Sequence, residues 1–165
     1  MKIEQWDIDR IKPYEKNPRR NDKAVQAVAD SIREFGFRQP IVVDADGVIV
    51  VGHTRYKAAL KLGLKTVPVH VAADLTPQQA RAYRLADNRS AENAEWDIDL
   101  LPIELGELRD GGADLKLLGF TDKELAEYLR QFDTDLDDGD ADADLAAETV
   151  RCPRCGHEFP LEQMP

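Results

Sequence analysis

The sequence predicts an α+β fold, a small mixed sheet carrying helices and followed by a helical extension. Three observations predict it. Ile41-Val42-Val43 and Val48-Ile49-Val50-Val51 are β-branched runs separated by Asp44-Ala45-Asp46-Gly47, a hairpin signature. Helical apolar spacing recurs on both sides of that hairpin and stops at glycines. From residue 72 onward helical signals replace strand signals.

In order along the chain, residues 2–11 alternate loosely with Ile3, Trp6, Ile8 and Ile11 apolar, which predicts a short strand and turn. Residues 13–20 hold two prolines and an Asn-Pro step, so they form a loop. Asn21 or Asp22 caps a helix whose apolar positions are Val25, Val28, Ala29, Ile32 and Phe35, and Gly36 ends it. After the hairpin, Gly52-His53-Thr54-Arg55 opens a second helix that ends at Gly63, with Thr54 as its expected N-cap. Residues 65–71 read as a strand in which Pro68 argues for an edge or a strand start. Thr76-Pro77-Gln78-Gln79 starts a helix reaching Asn88, because threonine caps and proline fits the first turn. Residues 93–97 break that helix. Further helices are expected at 98–108 and 122–132, the latter opened by the Thr121–Glu124 capping box, with 115–119 between them.

The formal charge of −10 is unevenly placed: +4 over residues 1–65, −6 over 66–132 and −8 over 133–148. The acidic run predicts a disordered linker, since its charges repel and it has little to bury. A low pI argues against a protein that coats DNA through a basic face, but leaves local phosphate binding by the basic half open. No stretch approaches the ~20 apolar residues of a membrane span, and Met1-Lys2-Ile3-Glu4 opens no signal peptide. A cytoplasmic protein with no membrane partner is expected. The division expected is a 1–95 binding domain, a 96–132 helical extension, a 133–148 acidic linker and a 149–165 tail.

The corner at Gly52-His53-Thr54-Arg55 carries the functional signal. A helix N-terminus offers free N–H groups and the positive end of the helix dipole, and Arg55 beside it suits a phosphate. In the tail, Cys152-Pro153-Arg154-Cys155-Gly156-His157 has the form of half a zinc ribbon. His157 is a third candidate ligand, and a redox-inert thiol pair is the alternative.

Three blocks together resemble the N-terminal domain of the ParB family, within the ParB and sulfiredoxin-like superfamily: Arg33-Glu34-Phe35-Gly36-Phe37-Arg38-Gln39-Pro40-Ile41-Val42-Val43, Gly52-His53-Thr54-Arg55 and Ala86-Asp87-Asn88-Arg89. The resemblance implies a nucleotide pocket with Arg38, Gln39 and Pro40 near base and ribose. It gives Gly52, His53, Thr54, Arg55, Asn88 and Arg89 to the phosphates, and Asp87 to Mg²⁺. One Asp, one Asn and the substrate phosphates would suffice for that cation. Leu85 to Glu92, Glu95-Trp96-Asp97 and Gly119-Phe120-Thr121-Asp122 resemble the ParB-like domain of phages and mobile elements that often precedes a DNA methyltransferase. No methyltransferase is expected to follow, and the DNA-reading helix-turn-helix of partition proteins is expected to be missing. Two departures stand out: His53-Thr54 replaces the family's Glu-Arg, and Asp87 replaces its Glu. With no cysteine in the corner, sulfiredoxin-type thiol repair is not expected.

The expected function is nucleotide binding, CTP or ATP with Mg²⁺, by a DNA-associated protein of phage or mobile-element type. Slow hydrolysis would use Asp87 or His53 to position water. A metal-dependent nuclease and a non-catalytic adaptor for a methyltransferase or other DNA-processing protein are the alternatives. A homodimer and Zn²⁺ in the tail complete the expectations.

Overall fold

The computed structural model describes residues 2–140, 149–151 and 158–160. Four strands form one mixed sheet in the order β1-β4-β2-β3: β1 (Glu4–Asp7), β2 (Ile41–Val43), β3 (Ile49–Val51) and β4 (Thr66–Val71). Strand β2 is antiparallel to β3 and parallel to β4, while β1 is antiparallel to β4. Helix α1 (Val25–Phe35) follows a 3₁₀ turn at Asp22–Ala24. Helix α2 is His53–Lys61 and α3 is Pro77–Glu92. Helices α4 (Leu100–Asp110) and α5 (Asp122–Asp140) flank a 3₁₀ turn at Leu115–Leu118. Strands β5 (Thr149–Arg151) and β6 (Glu158–Pro160) pair antiparallel, Val150 opposite Phe159. Among the described residues no helix is long and apolar enough to cross a membrane.

Alternation along the strands puts Trp6, Ile41, Val43, Ile49, Val67 and Val69 on the buried side, where they meet Ile8, Ile11 and Ala59. A second cluster joins Leu101, Leu105, Leu115 and Leu125, with Phe120, Tyr128 and Leu129 packed against it. Gly106 lets α5 close on α4, since a Cβ there would lie 2.3 Å from the Phe132 ring.

The hairpin forms as expected. The Asp44 carboxylate accepts from the N–H groups of Asp46 and Val48, and Gly47 takes the positive φ the turn requires. Thr76 with Gln79, and Thr121 with Glu124, make reciprocal capping boxes.

Four local expectations are corrected. Pro68 lies in an interior strand rather than at an edge or a strand start. The Ile8 N–H bond to Lys65 O sets the ladder phase, so Gln5 opposite Pro68 is a non-hydrogen-bonded pair and β1 asks no donor of the proline. Its missing N–H would point to the β2 side, where pairing begins only at Ile41 opposite Val69, so no β2 residue stands in register to receive it. Thr54 is not the N-cap of α2; Gly52 is, at φ 105°, and Thr54 is the second helical residue. Helix α3 continues past Asn88 to Glu92, which sets Asp87 and Asn88 inside a helix. Helix α5 runs beyond Phe132 to Asp140, into the stretch expected to be disordered. Arg109 neutralises Asp133 at 2.9 Å and holds that first acidic turn on α4.

Candidate functional site

Strand β3 delivers the chain to Gly52, whose left-handed conformation turns it directly into α2. A Cβ at Gly52 would stand 3.2 Å from Arg55 Nε and 3.5 Å from Ile41 Cα, so only glycine lets Arg55 fold back over the corner. No side chain caps α2. Tyr56 N–H is the first to close on Gly52 O, and the helix start keeps its positive end towards the cleft.

The cleft has a volume of about 390 Å³ and is lined by Gly52, His53, Thr54 and Arg55 from the corner and by Asp87 and Asn88 from α3. Asn17, Arg19, Arg20, Asn21 and Lys23 of the preceding loop and 3₁₀ turn complete it. A second cavity of about 310 Å³ holds Phe35, Phe37, Arg38 and Gln39. Val28 and Arg55 line both, so the two adjoin across the Arg55 side chain.

Arg55 is the pivot. Its Nη1 donates to Gln39 Oε1, while its Nε is buried with no hydrogen-bond partner. Burial pulls the guanidinium below its ordinary pKa and the Asp87 carboxylate partly opposes this. A buried unsatisfied donor is costly, and an incoming anion would satisfy it.

His53 is held as a neutral ring. Burial, then the positive charges of Arg84 and Lys57, push it down to about 4. Its Nε2 accepts from Tyr14 N–H at 3.2 Å, which puts the proton of the neutral ring on Nδ1. Thr54 Oγ1 accepts from Asn21 Nδ2 at 3.0 Å, and Asn21 Oδ1 accepts from Lys57 Nζ at 2.9 Å. Lys57 also pairs with Asp22 at 2.7 Å.

Both ends of the Asn88 amide are engaged. Its Nδ2 donates to Arg84 O at 2.7 Å, and its Oδ1 accepts from Arg19 Nη1 at 3.3 Å. Asp87 is therefore the acidic group the cleft presents. A single carboxylate fits Mg²⁺ when phosphates and water supply the remaining oxygens, and Asn88 would act by holding Arg19 and α3 in place. No group of three or more His, Cys, Asp or Glu is gathered among the described residues.

The structure thus brings together six residues singled out from sequence: Gly52, His53, Thr54, Arg55, Asp87 and Asn88. Arg38 and Gln39 lie in the adjoining cavity, where Arg38 Nε turns back to Phe35 O at the end of α1. Pro40 and Arg89 line neither cavity; Arg89 is exposed and pairs with Glu92 at 3.0 Å. Cys152, Cys155 and His157 lie outside the described residues.

Sequence reasoning missed Arg84. This arginine is buried on α3, donates from Nε to Ile49 O at 2.9 Å, pairs with Asp44 at 3.2 Å and lies 4.1 Å over the Tyr14 ring. Its signal was its place four residues after Ala80, on the one buried stripe of α3.

The profile described as the ParB N-terminal domain matches residues 1–89, and that described as the ParB-methyltransferase HTH domain matches residues 99–155. The second match corrects the expectation that a helix-turn-helix is missing. Residues 99–140 carry 13 acidic and 4 basic side chains, and so lack the basic stripe that marks such a unit in a sequence. The chain is 38% identical over 124 residues to the chromosome-partitioning protein Spo0J of Thermus thermophilus, covering 72% of this chain and 42% of that protein. It is 35% identical over 80 residues to the ParB-like nuclease domain-containing protein YnaK of Escherichia coli, covering 48% and 92%. It therefore spans less than half the length of that Spo0J and nearly all of YnaK. The crystal structure of C-terminally truncated ParB from Caulobacter crescentus, complexed with CTP-gamma-S, superposes with a TM-score of 0.58 at 22% identity, covering 79% of this chain and 86% of that one.

Proposed function

The chain belongs to the ParB N-terminal-domain family, and on that footing we propose that it binds a nucleoside triphosphate with Mg²⁺, CTP or ATP, and acts beside DNA. One observation carries the reading: Arg55, at the start of α2, lines a cleft shared with further cations and holds a buried Nε with no hydrogen-bond partner among the described residues. A triphosphate supplies the acceptors and charge that this corner lacks. Arg20 and Lys23 add positive charge, and no ion pair engages either among the described residues. The adjoining cavity by Phe37 and Gln39 offers a base an aromatic wall and an amide at the right end of such a ligand. The Caulobacter ParB solved with CTP-gamma-S supports CTP as the first nucleotide to try.

Binding has more support than turnover. The His53 lone pair is taken by Tyr14 N–H, which leaves Nδ1–H as a donor for a phosphate oxygen and makes the ring a poor base. Asp87 is the group left to position water. The nuclease reading, prompted by the name of YnaK, would draw on a carboxylate cluster around one or two metals. Among the described residues Asp87 is the one acidic residue lining this cleft.

Calorimetric titration with CTP, ATP and GTP, with and without Mg²⁺, tests the reading. Arg55→Ala is expected to weaken binding about 10- to 100-fold, the worth of ~1.5–3 kcal/mol of charged hydrogen bonding. No heat from the wild-type chain with any of the three nucleotides would overturn it. Metal-dependent plasmid nicking lost in Asp87→Ala would replace it with the nuclease.

A further inference from the structure

We propose that residues 92–107 form a docking surface for a cationic amphipathic segment of a partner protein. Trp96, Ile98, Leu100 and Ile103 are 65%, 68%, 59% and 42% exposed, four large apolar side chains within eight positions. Helix α4 explains why they face out. Leu101 and Leu105 fill its inner face against α5, which leaves Leu100 and Ile103, one turn apart, on the outer face. The preceding link is pinned. Asp97 Oδ1 accepts from Asp99 N–H at 3.0 Å and Leu100 N–H at 3.1 Å, and Trp96 leans on Phe120 with ring centroids 5.7 Å apart. An apolar cluster held on a fixed backbone has the character of an interaction site.

Its rim states the charge of the occupant. Residues 90–108 contain six carboxylates and no lysine or arginine. Among the described residues Glu92 alone of the six forms ion pairs, with Arg19 and Arg89. Five carboxylates therefore surround the apolar strip without a cation, and a segment with apolar and basic faces answers both features. A second copy docked face to face would set the same carboxylates against each other. DNA phosphates would meet a helical unit in which acidic residues outnumber basic ones 13 to 4.

Trp96 is a built-in probe, because the other tryptophan, Trp6, is only 5% exposed. The full chain is titrated with a helical peptide having one leucine face and one lysine face, and acrylamide quenching of tryptophan emission is followed. The expected result is saturable protection of Trp96, weakened by salt and roughly tenfold weaker in Ile103→Asp. Glu104→Lys with Glu107→Lys, two exposed changes that leave the inner face of α4 intact, should weaken it similarly and flatten its salt dependence. No protection, equal protection by a leucine–glutamate peptide, or undiminished protection in both variants would overturn the proposal. So would protection of Trp96 by a DNA duplex, or by raising the concentration of the chain alone.

Discussion

Replacing Arg84 tests how the cleft is held together. Arg84→Met keeps an apolar stem and helix propensity but removes the bond to Ile49 O, the pair with Asp44 and the contact with the Tyr14 ring. Hydrogen bonds from a charged group contribute ~1.5–3 kcal/mol each and a cation–π contact ~0.5–2 kcal/mol. Relief from burying a guanidinium offsets part of this. Asp44 also keeps its two backbone N–H donors and is a quarter exposed, so it is not abandoned as a bare buried charge. The net loss should be about 3 kcal/mol, near the lower end of breaking a buried pair. In a domain with ~5–15 kcal/mol of total stability, that lowers Tm by roughly 10 °C or more. Urea and thermal unfolding at pH 7, followed by the emission of buried Trp6, measure it. Arg84→Lys should recover little, because one ammonium cannot reproduce a guanidinium fork spanning two acceptors and a ring. A Tm within ~2 °C of wild type for Arg84→Met would refute the reasoning.

Three further outcomes follow from the geometry. Gly52→Ala should cost ~1–3 kcal/mol through its positive φ and weaken nucleotide binding, since the new methyl displaces Arg55; calorimetry reads both. Gly106→Ala drives a methyl into the Phe132 ring and should cost ~1–3 kcal/mol in the α4–α5 unit alone, lowering the Trp96 transition while Trp6 unfolds as before. His53 gives a pH dependence with a defined sign. Its pKa falls from 6.5 to about 4 on folding, so the unfolded chain takes the proton first. Stability is unaffected by this residue above pH 6.5, declines as pH falls towards 4, and levels off below. The urea midpoint of His53→Gln should fall less than that of wild type between pH 7 and pH 4.5; equal declines would remove His53 as the cause.

Much of the first core was legible because local signals and burial agree. Asp44 to Gly47 makes the turn its residues demand, and Gly36 ends α1 at φ 77°. The turn from β3 into α2 was legible for the same reason, with Gly52 and Arg55 close in sequence and in space. What escaped depends on partners distant in the chain. Pro68 is tolerated inside the sheet because its missing N–H would face away from β1 and beyond the start of the pairing with β2. Arg84 reads as a solvated helix charge until Ile49, Asp44 and Tyr14 are brought to it from 35, 40 and 70 positions away. The acidic run extends α5 because its first aspartate meets Arg109, a pairing 24 positions apart.

Those distant contacts also explain how the three sequence boxes come to share one cleft. The loop of residues 13–24 touches each wall separately. Tyr14 N–H reaches His53 and Asn21 reaches Thr54 on α2, while Arg19 reaches Asn88 and Glu92 on α3. Thr54 is thereby a fixing point for the loop. Its hydroxyl holds Asn21, and the flanking Arg20 and Lys23 line the cleft. Position 54 thus contributes no cation to the corner, and its hydroxyl ties down a loop that brings Arg20 and Lys23 to the cleft. Affinity should then depend on the loop contacts as well as on Arg55. Asn21→Ala, which cuts the loop's bonds to Thr54 and Lys57 and leaves Arg20, Lys23 and Arg55 in place, should weaken nucleotide binding in a calorimetric titration; unchanged affinity would refute the role given to the loop.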